Sequence, residues 1–460
     1  MKNNKDNNTK GVKATIVSFF VLMFVGACVA LYLPLRPTIS ESENRELTKF
    51  PEFSISALMD GSYFSGISTW YADTFPMREM FMNANAKIKS FYGIGDSISG
   101  FSDNYAEDIP EVGEDVEPAT LPAQDPETTA ENKTQSQTEK EDETEAKTEI
   151  KTEAESEEDA EDHIIQELGA VLIVDKSAYE YYNFVQSTAD KYASAINTTG
   201  AKLKGKARVF DIVVPTSIDI NLSPSVRQGI NTSDQKKATN YIYSRISSDV
   251  TKVNAFDALY EKRNEYLYFR TDHHWTARGA YYTYYEYAKS AGITAHPLSY
   301  FEEQDHGEFL GTFYNDSGKN TTLEKNPDKF YVYMPKGDIK MTVTDKNGNR
   351  TNPPLIADAS QYSRGLKYLA FIAGDNPYTH IVNSSITDGS SCLVIKESFG
   401  NAFVPFLTAN YGEIHVIDYR YWSGNIASFV ETNGIDDVIF INNMSATRNK
   451  SIINKLAGIS

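Results

Sequence analysis

At 460 residues and 40% hydrophobic side chains, the chain is long enough for two or three domains and apolar enough for a large core, which excludes a wholly disordered polymer. The net charge of −19 is concentrated in one stretch. Asp103 to Asp162 carries 23 acidic and 4 basic residues, which leaves the rest balanced and argues against a basic nucleic-acid-binding surface. Only Cys28 and Cys392 are present, too few for a disulfide framework or a cysteine-based metal site.

Residues 14–35, ATIVSFFVLMFVGACVALYLPL, are uncharged, and as a helix they reach roughly 33 Å, the thickness of a bilayer core. Lys2, Lys5, Lys10 and Lys13 precede them. The positive-inside rule therefore predicts a cytoplasmic tail over 1–13, a transmembrane anchor over 14–35 and an extracytoplasmic body. The rival reading is lipoprotein processing at Val25-Gly26-Ala27-Cys28. The apolar run continues past Cys28 through Leu33, which favours the uncleaved anchor.

Residues 36–102 read as a membrane-proximal helical region packed on the main domain. Ser65 to Lys89 has a rough helical period, with Ile67, Tyr71, Met77, Met80, Phe81 and Ala84 available to one face and Pro76 as punctuation. The stretch 103–162, rich in Glu, Thr, Pro and Ala, offers too little apolar surface to offset its chain entropy and is expected to be a disordered, low-complexity linker.

From 163 to 460 apolar runs alternate with helical patterns. Ala170–Val174 reads as a strand, followed by a helix from Tyr179 to Ile196. Val209–Pro215 reads as a second strand, followed by a helix near Asp234 to Val250. Leu393–Ile395, Ile414–Ile417 and Val438–Ile441 are further strands. Short, continuous β-branched runs separated by helices predict an α/β fold, a doubly wound and mostly parallel sheet covered on both faces.

The densest chemical signal is Asp272-His273-His274-Trp275. An Asp two positions before a His can accept from imidazole Nδ1 and leave Nε2 as a base. Thr276 is placed to cap the helix that follows. A metal set of Asp272, His273 and His274 lacks further ligands at recognised spacing, and a helix-capping His pair is the bland alternative; no metal or cofactor is expected. The second signal is the run from Leu393 to Phe403, a buried strand ending at Glu397-Ser398 and turning through Phe399-Gly400-Asn401 into a helix. A serine there is exposed at the sheet edge beside backbone N–H donors able to hold an oxyanion. Asn401, Asn442 and Asn443 are candidate oxyanion or substrate groups, as is Trp275. Arg420 either orients a substrate or forms an ion pair with Asp418.

The Asp272–Trp275 string, the Ser398–Phe403 turn and the run Asp418-Tyr419-Arg420-Tyr421-Trp422 resemble the bacterial DHHW family. So do Ser42-Glu43-Asn44-Arg45 and Tyr71-Ala72-Asp73-Thr74-Phe75-Pro76-Met77-Arg78. That family is similar to the periplasmic alginate O-acetyltransferases, which have a circularly permuted SGNH-hydrolase fold with the Asp-x-His motif ahead of the nucleophile. The resemblance implies Ser398 as nucleophile, His274 as base and Asp272 as its orienter; His273, as the adjacent residue, is expected to point away. It further implies O-acetyl transfer to a cell-surface polysaccharide, supplied by a membrane-bound O-acyltransferase partner. An esterase of the same fold and a non-catalytic polysaccharide-binding module are the alternatives.

Overall fold

The computed structural model describes residue 21 and residues 36–40, 45–59, 62–76, 107–112, 164–168 and 171–460. Apart from Val21, the expected anchor over 14–35 lies outside the described residues, as does most of the acidic stretch. Among the described residues no helix is long and apolar enough to cross a membrane.

The apolar runs of the C-terminal region pair into an eight-stranded sheet. Its strands are Arg208–Val214 (β1), Thr251–Val253 (β2), Ile339–Thr344 (β3), Arg350–Thr351 (β4), Tyr378–Asn383 (β5), Ser391–Lys396 (β6), Glu413–Asp418 (β7) and Asp437–Asn443 (β8). In space they run β4-β3-β5-β7-β6-β8-β1-β2. The five strands from β7 to β2 are parallel. The other three join them antiparallel, so the sheet is mixed rather than mostly parallel throughout.

The two halves bury their strands differently. Every residue of β6 and β8 is buried, because helices cover both faces of the parallel half. In β5 burial alternates with exposure, the pattern of a strand with one wet face. That alternation carries few continuous apolar residues, which is why β3 and β5 escape a search for β-branched runs.

Side chains of the parallel strands divide by pleat between two cores. Phe210, Ile212, Val394, Ile439 and Ile441 join one, beneath Ala255–Glu261 (α3), Ala277–Ala291 (α4) and Gly400–Leu407 (α5). Val209, Val213, Leu393, Ile395, Val438 and Phe440 join the other, beneath Gln186–Leu203 (α1), Gln235–Arg245 (α2), Ile426–Asn433 (α6) and Lys450–Ile459 (α7). Strands with helices on both sides place their C-terminal ends along one open edge, where loops rather than helices meet the chain.

Two expected elements shift. Val171–Val174 does not enter the main sheet; it is the middle of a three-stranded antiparallel sheet with Ile165–Leu168 and Ser177–Glu180. Because Ser177–Glu180 is extended, α1 starts at Gln186 rather than Tyr179. The helix expected from Asp234 begins as read, with Asp234 accepting from the Lys237 N–H, but ends at Arg245. Upstream, a helix runs over Ser62–Asp73, and Arg36 stacks on its Trp70 at 4.0 Å. Its expected continuation through Met77, Met80, Phe81 and Ala84 lies outside the described residues.

Residues 107–112 of the acidic stretch meet the folded domain. Ile109 and Val112 pack against the second core, and the Glu107 carboxylate accepts from the Gln186 N–H at 2.6 Å, at the start of α1. A carboxylate there satisfies a helix N–H that has no intrahelical partner and meets the positive end of the helix dipole.

Candidate active site

The Asp272–Trp275 loop is a tight bend between Tyr268 and Trp275, which face each other in an antiparallel bridge. The Phe269 N–H donates to the His274 carbonyl at 3.2 Å and the Thr276 N–H to the Leu267 carbonyl at 2.8 Å. Inside the bend the buried Asp328 carboxylate accepts from the Arg270 N–H at 2.9 Å and the Thr271 N–H at 2.8 Å. Thr276 then caps α4 by accepting from the Gly279 N–H. These bonds tie both flanks of the bend and give the Asp272 and His274 side chains a rigid support.

Ser398 lies just past the end of β6, where the chain turns into α5. It meets the bend directly. His274 Nε2 is 2.8 Å from Ser398 Oγ, and His274 Nδ1 is 2.6 Å from Asp272 Oδ1. Asp272 Oδ1 also accepts from the His274 N–H at 2.9 Å, and Oδ2 from the Thr312 N–H at 2.8 Å. Asp272 and His274 are buried, at 0% and 2% exposure, while Ser398 is partly open. Asp, His and Ser thus form one hydrogen-bonded line whose only solvent-facing end is the hydroxyl.

Burial alone would raise the Asp272 carboxyl. The neighbouring His274 and His273 rings, with the bonds from His274 and the Thr312 N–H, outweigh it and hold the group well below the usual carboxylate range. An ionised Asp272 fixes the tautomer with a proton on Nδ1 and a lone pair on Nε2 toward the serine.

Several neighbours define the geometry. The Tyr368 ring stacks on His274 at 3.9 Å and its hydroxyl donates to the Ser398 carbonyl at 3.2 Å. Gly311 leaves room for Asp272: a Cβ there would lie 2.1 Å from Asp272 Oδ2. Glu397 is 3% exposed, and its carboxylate accepts from the Phe399 N–H at 3.2 Å and the Asn443 N–H at 3.0 Å. Burial pushes the Glu397 carboxyl up, opposed by Arg420 and by those two N–H donors. Tyr368, Gly311 and Thr312 escape a sequence reading because each lies tens of residues from the motifs. Glu397 adjoins Ser398, and its position before a strand-end serine was the one available signal.

His273 does not turn away. Its ring lies 3.8 Å from that of His274, with Nδ1 2.7 Å from Thr312 Oγ1. Burial, followed by the adjacent His274, lowers its pKa. Asp272, His273 and His274 each offer one ligand atom within 4.8 Å of the others, and in this arrangement the two nitrogens of His274 face Asp272 and Ser398.

The other candidates are placed differently from the sequence expectation. Trp275 is fully buried, and its indole N–H donates to the Phe399 carbonyl at 3.0 Å, pinning the turn behind the serine. The Asn442 oxygen accepts from Tyr419 at 2.6 Å and its amide faces Tyr192, away from Ser398. The Asn443 oxygen caps the Met444–Thr447 helix through the Ala446 N–H. Asn401 donates to Asp375 at 2.9 Å. Asn442 and Asn401 each direct an amide N–H to a structural partner, whereas the Asn443 cap uses only its carbonyl oxygen and not its amide N–H groups. Arg420 forms the ion-pair alternative, 2.6 Å from Asp418 and 2.8 Å from Asp375, and Lys396 joins the same two carboxylates at 3.0 and 2.9 Å.

The sequence profile described as DHHW protein matches residues 43–417. The chain belongs to the DHHW family. This DHHW chain is similar to a solved DHHW family protein from Eubacterium siraeum, at 27% identity and a TM-score of 0.58, over 64% of this chain and 97% of that one. It is also similar to Bacillus cereus PatB1, solved with a sulfonyl adduct, at 19% identity and a TM-score of 0.52, over 63% of this chain and 98% of that one. The O-acetyltransferase domain of Pseudomonas putida AlgJ is a remoter match, at 12% identity and a TM-score of 0.32, over 63% of this chain and 96% of that one. No curated protein matches the chain.

Proposed function

We propose that this DHHW-family chain is a membrane-anchored, extracytoplasmic serine O-acyltransferase, transferring acetyl groups to a cell-surface or exported polysaccharide. The observation that carries the reading is the line from Asp272 through His274 to Ser398, with bonds of 2.6 and 2.8 Å. A serine hydroxyl is a weak nucleophile unless a base takes its proton as it attacks.

In this reading Ser398 Oγ attacks the acyl carbonyl while its proton passes to His274 Nε2. Asp272 stays ionised and stabilises the imidazolium. The developing oxyanion is assigned to the Ser398 backbone N–H, since the Phe399, Gly400 and Asn401 N–H groups donate within the turn, and to the Asn443 amide, whose cap uses only its oxygen. Collapse expels the donor's leaving group, which takes the proton from His274, and leaves an acyl-serine. A sugar hydroxyl then gives its proton to His274 and attacks that ester, restoring Ser398. If water replaces the sugar, the same steps make an esterase. A membrane-bound O-acyltransferase supplies the donor.

Incubating the purified chain with a p-nitrophenyl ester, with and without an oligosaccharide acceptor, tests the proposal. Acylated sugar supports transfer, while free acid alone makes the protein an esterase. Polysaccharide binding with no turnover of any ester makes it a binding module and removes the catalytic reading.

A further inference from the structure

A second histidine cluster lies on the same sheet, away from the serine. His380 on β5 and His415 on β7 face each other directly across the antiparallel pair, and Glu413 lies two residues before His415 on the same face. The imidazole rings stack at 4.7 Å. His380 Nε2 is 2.7 Å from Glu413 Oε1, and His415 Nε2 is 3.4 Å from the same oxygen. One atom from each residue falls within 4.8 Å of the others.

His415 is the informative member. It is 3% exposed, yet its Nε2 has no hydrogen-bond partner among the described residues; the 3.4 Å approach to Glu413 is misdirected for one. Leaving a buried ring nitrogen without a partner is costly. Its other nitrogen, Nδ1, is 2.8 Å from the Tyr378 hydroxyl. When Nδ1–H donates to the Tyr378 oxygen, Nε2 carries a bare lone pair, which is the form a metal-bound imidazole takes with its second nitrogen anchored.

We propose that His380 Nε2, a Glu413 carboxylate oxygen and His415 Nε2 bind one divalent transition ion of the zinc class, with water in the fourth position. Two imidazoles and a carboxylate suit zinc rather than calcium or magnesium, which take oxygen ligands. Zinc ligands lie about 2.0–2.2 Å from the metal, so donor atoms in a tetrahedral site are roughly 3.3 Å apart. The His415–Glu413 pair already has that spacing. The His380–Glu413 pair must open by about half an ångström, which the half-exposed Glu413 side chain allows. His380 is also partly open, giving an ion a path in.

The ion would join β5, the first strand of the antiparallel extension, to β7, the edge of the parallel half. Its role is therefore to fix the extension, since β7 runs from this cluster toward Asp418 and the serine edge lies beyond that end. The unused lone pair on His415 and the mixed sheet then have one explanation.

The test uses the full purified chain, stripped with a chelator and titrated with Co²⁺ and then Zn²⁺. One equivalent of Co²⁺ should give the intense visible bands of tetrahedral nitrogen-containing coordination, which Zn²⁺ displaces, and Zn²⁺ should raise the melting temperature. His380→Ala and Glu413→Gln should each weaken Co²⁺ binding on the order of 100-fold or more, with the metal-free melting temperature near wild type. The exposed Glu413 keeps the test open if His380→Ala folds poorly. Absence of bands and of any thermal shift in the wild type overturns the site. Unchanged binding in both variants also overturns it, because the ion then sits elsewhere, such as on the acidic stretch.

Discussion

Two polar clusters share the serine edge of the sheet. Asp272, His274 and Ser398 form one; Lys396, Asp375, Arg420 and Asp418 form the other, joined to the first through the Lys396-Glu397-Ser398 backbone and the Asn401–Asp375 bond. Both are largely closed to solvent, but they meet the cost of burial in different ways. In the quartet two cations face two carboxylates. Burial would neutralise Lys396 and Arg420, yet Asp375 and Asp418 outweigh it and raise both; Arg420 and Lys396 in turn hold Asp375 well below the carboxylate range. The first cluster sets Asp272 against an imidazole, with a hydroxyl at its open end that also lies 3.2 Å from Glu397 Oε2. One cluster fixes the edge, and the other has a proton to move along it.

The widest gap between them should appear on mutation. Ser398→Ala and His274→Ala should each remove acyl transfer or ester hydrolysis by on the order of 10³-fold or more, with the double variant little worse. The melting temperature of Ser398→Ala should stay within about 3 °C of wild type, because the side chain is small and partly open, while His274→Ala should fall further, since it leaves the buried Asp272 carboxylate without its imidazole partner. Arg420→Met and Asp375→Asn should instead destabilise the domain by about 3–5 kcal/mol in urea unfolding, since each strands a buried opposite charge. If Arg420→Met unfolds normally but raises KM for the acyl donor, Arg420 belongs to the substrate site and the contrast fails.

Gly311→Ala sharpens the comparison from the side. Its Cβ would collide with Asp272, not with the quartet, so kcat should fall on the order of 10²-fold through misplacement of the relay. Wild-type kcat in this variant would show that Asp272 tolerates displacement.

A buried carboxyl outside both clusters gives the smallest effect. Asp211 on β1 is fully buried, accepts from the Tyr192 hydroxyl, and leaves Oδ2 without a partner among the described residues. Burial raises it to about 7, opposed by the Tyr192 bond. A raised carboxyl in the folded state means that the native protein holds its proton longer than the unfolded chain. Its contribution is complete below the unfolded value near 4 and is lost as pH rises toward 7. Asp211→Asn should therefore abolish about 2–3 kcal/mol of stability loss between pH 5 and 8, read as the wild-type minus variant difference. Parallel stability curves would show that Asp211 is ionised throughout.

What the sequence revealed follows from how each signal is encoded. The parallel strands announce themselves because helices on both faces demand continuous apolar residues. Asp272 and His274 are legible because two positions of spacing carry the geometry, and Ser398 because a buried strand ends beside it. The antiparallel extension was missed because one wet face breaks up its apolar pattern, as in β5. The quartet was half legible: Asp418 and Arg420 are near neighbours in sequence, but Asp375 arrives from a loop 43 positions before Asp418. The cluster of His380, Glu413 and His415 was invisible because strand register, not spacing along the chain, brings it together.

The most direct test of the central claim is intact-mass and peptide mass spectrometry of the full chain, quenched at short times after mixing with an activated acetyl ester. The account predicts one added acetyl group, located on Ser398, absent from Ser398→Ala and much slower to form in His274→Ala. An acetyl group on another residue, or full ester turnover by Ser398→Ala, would contradict it.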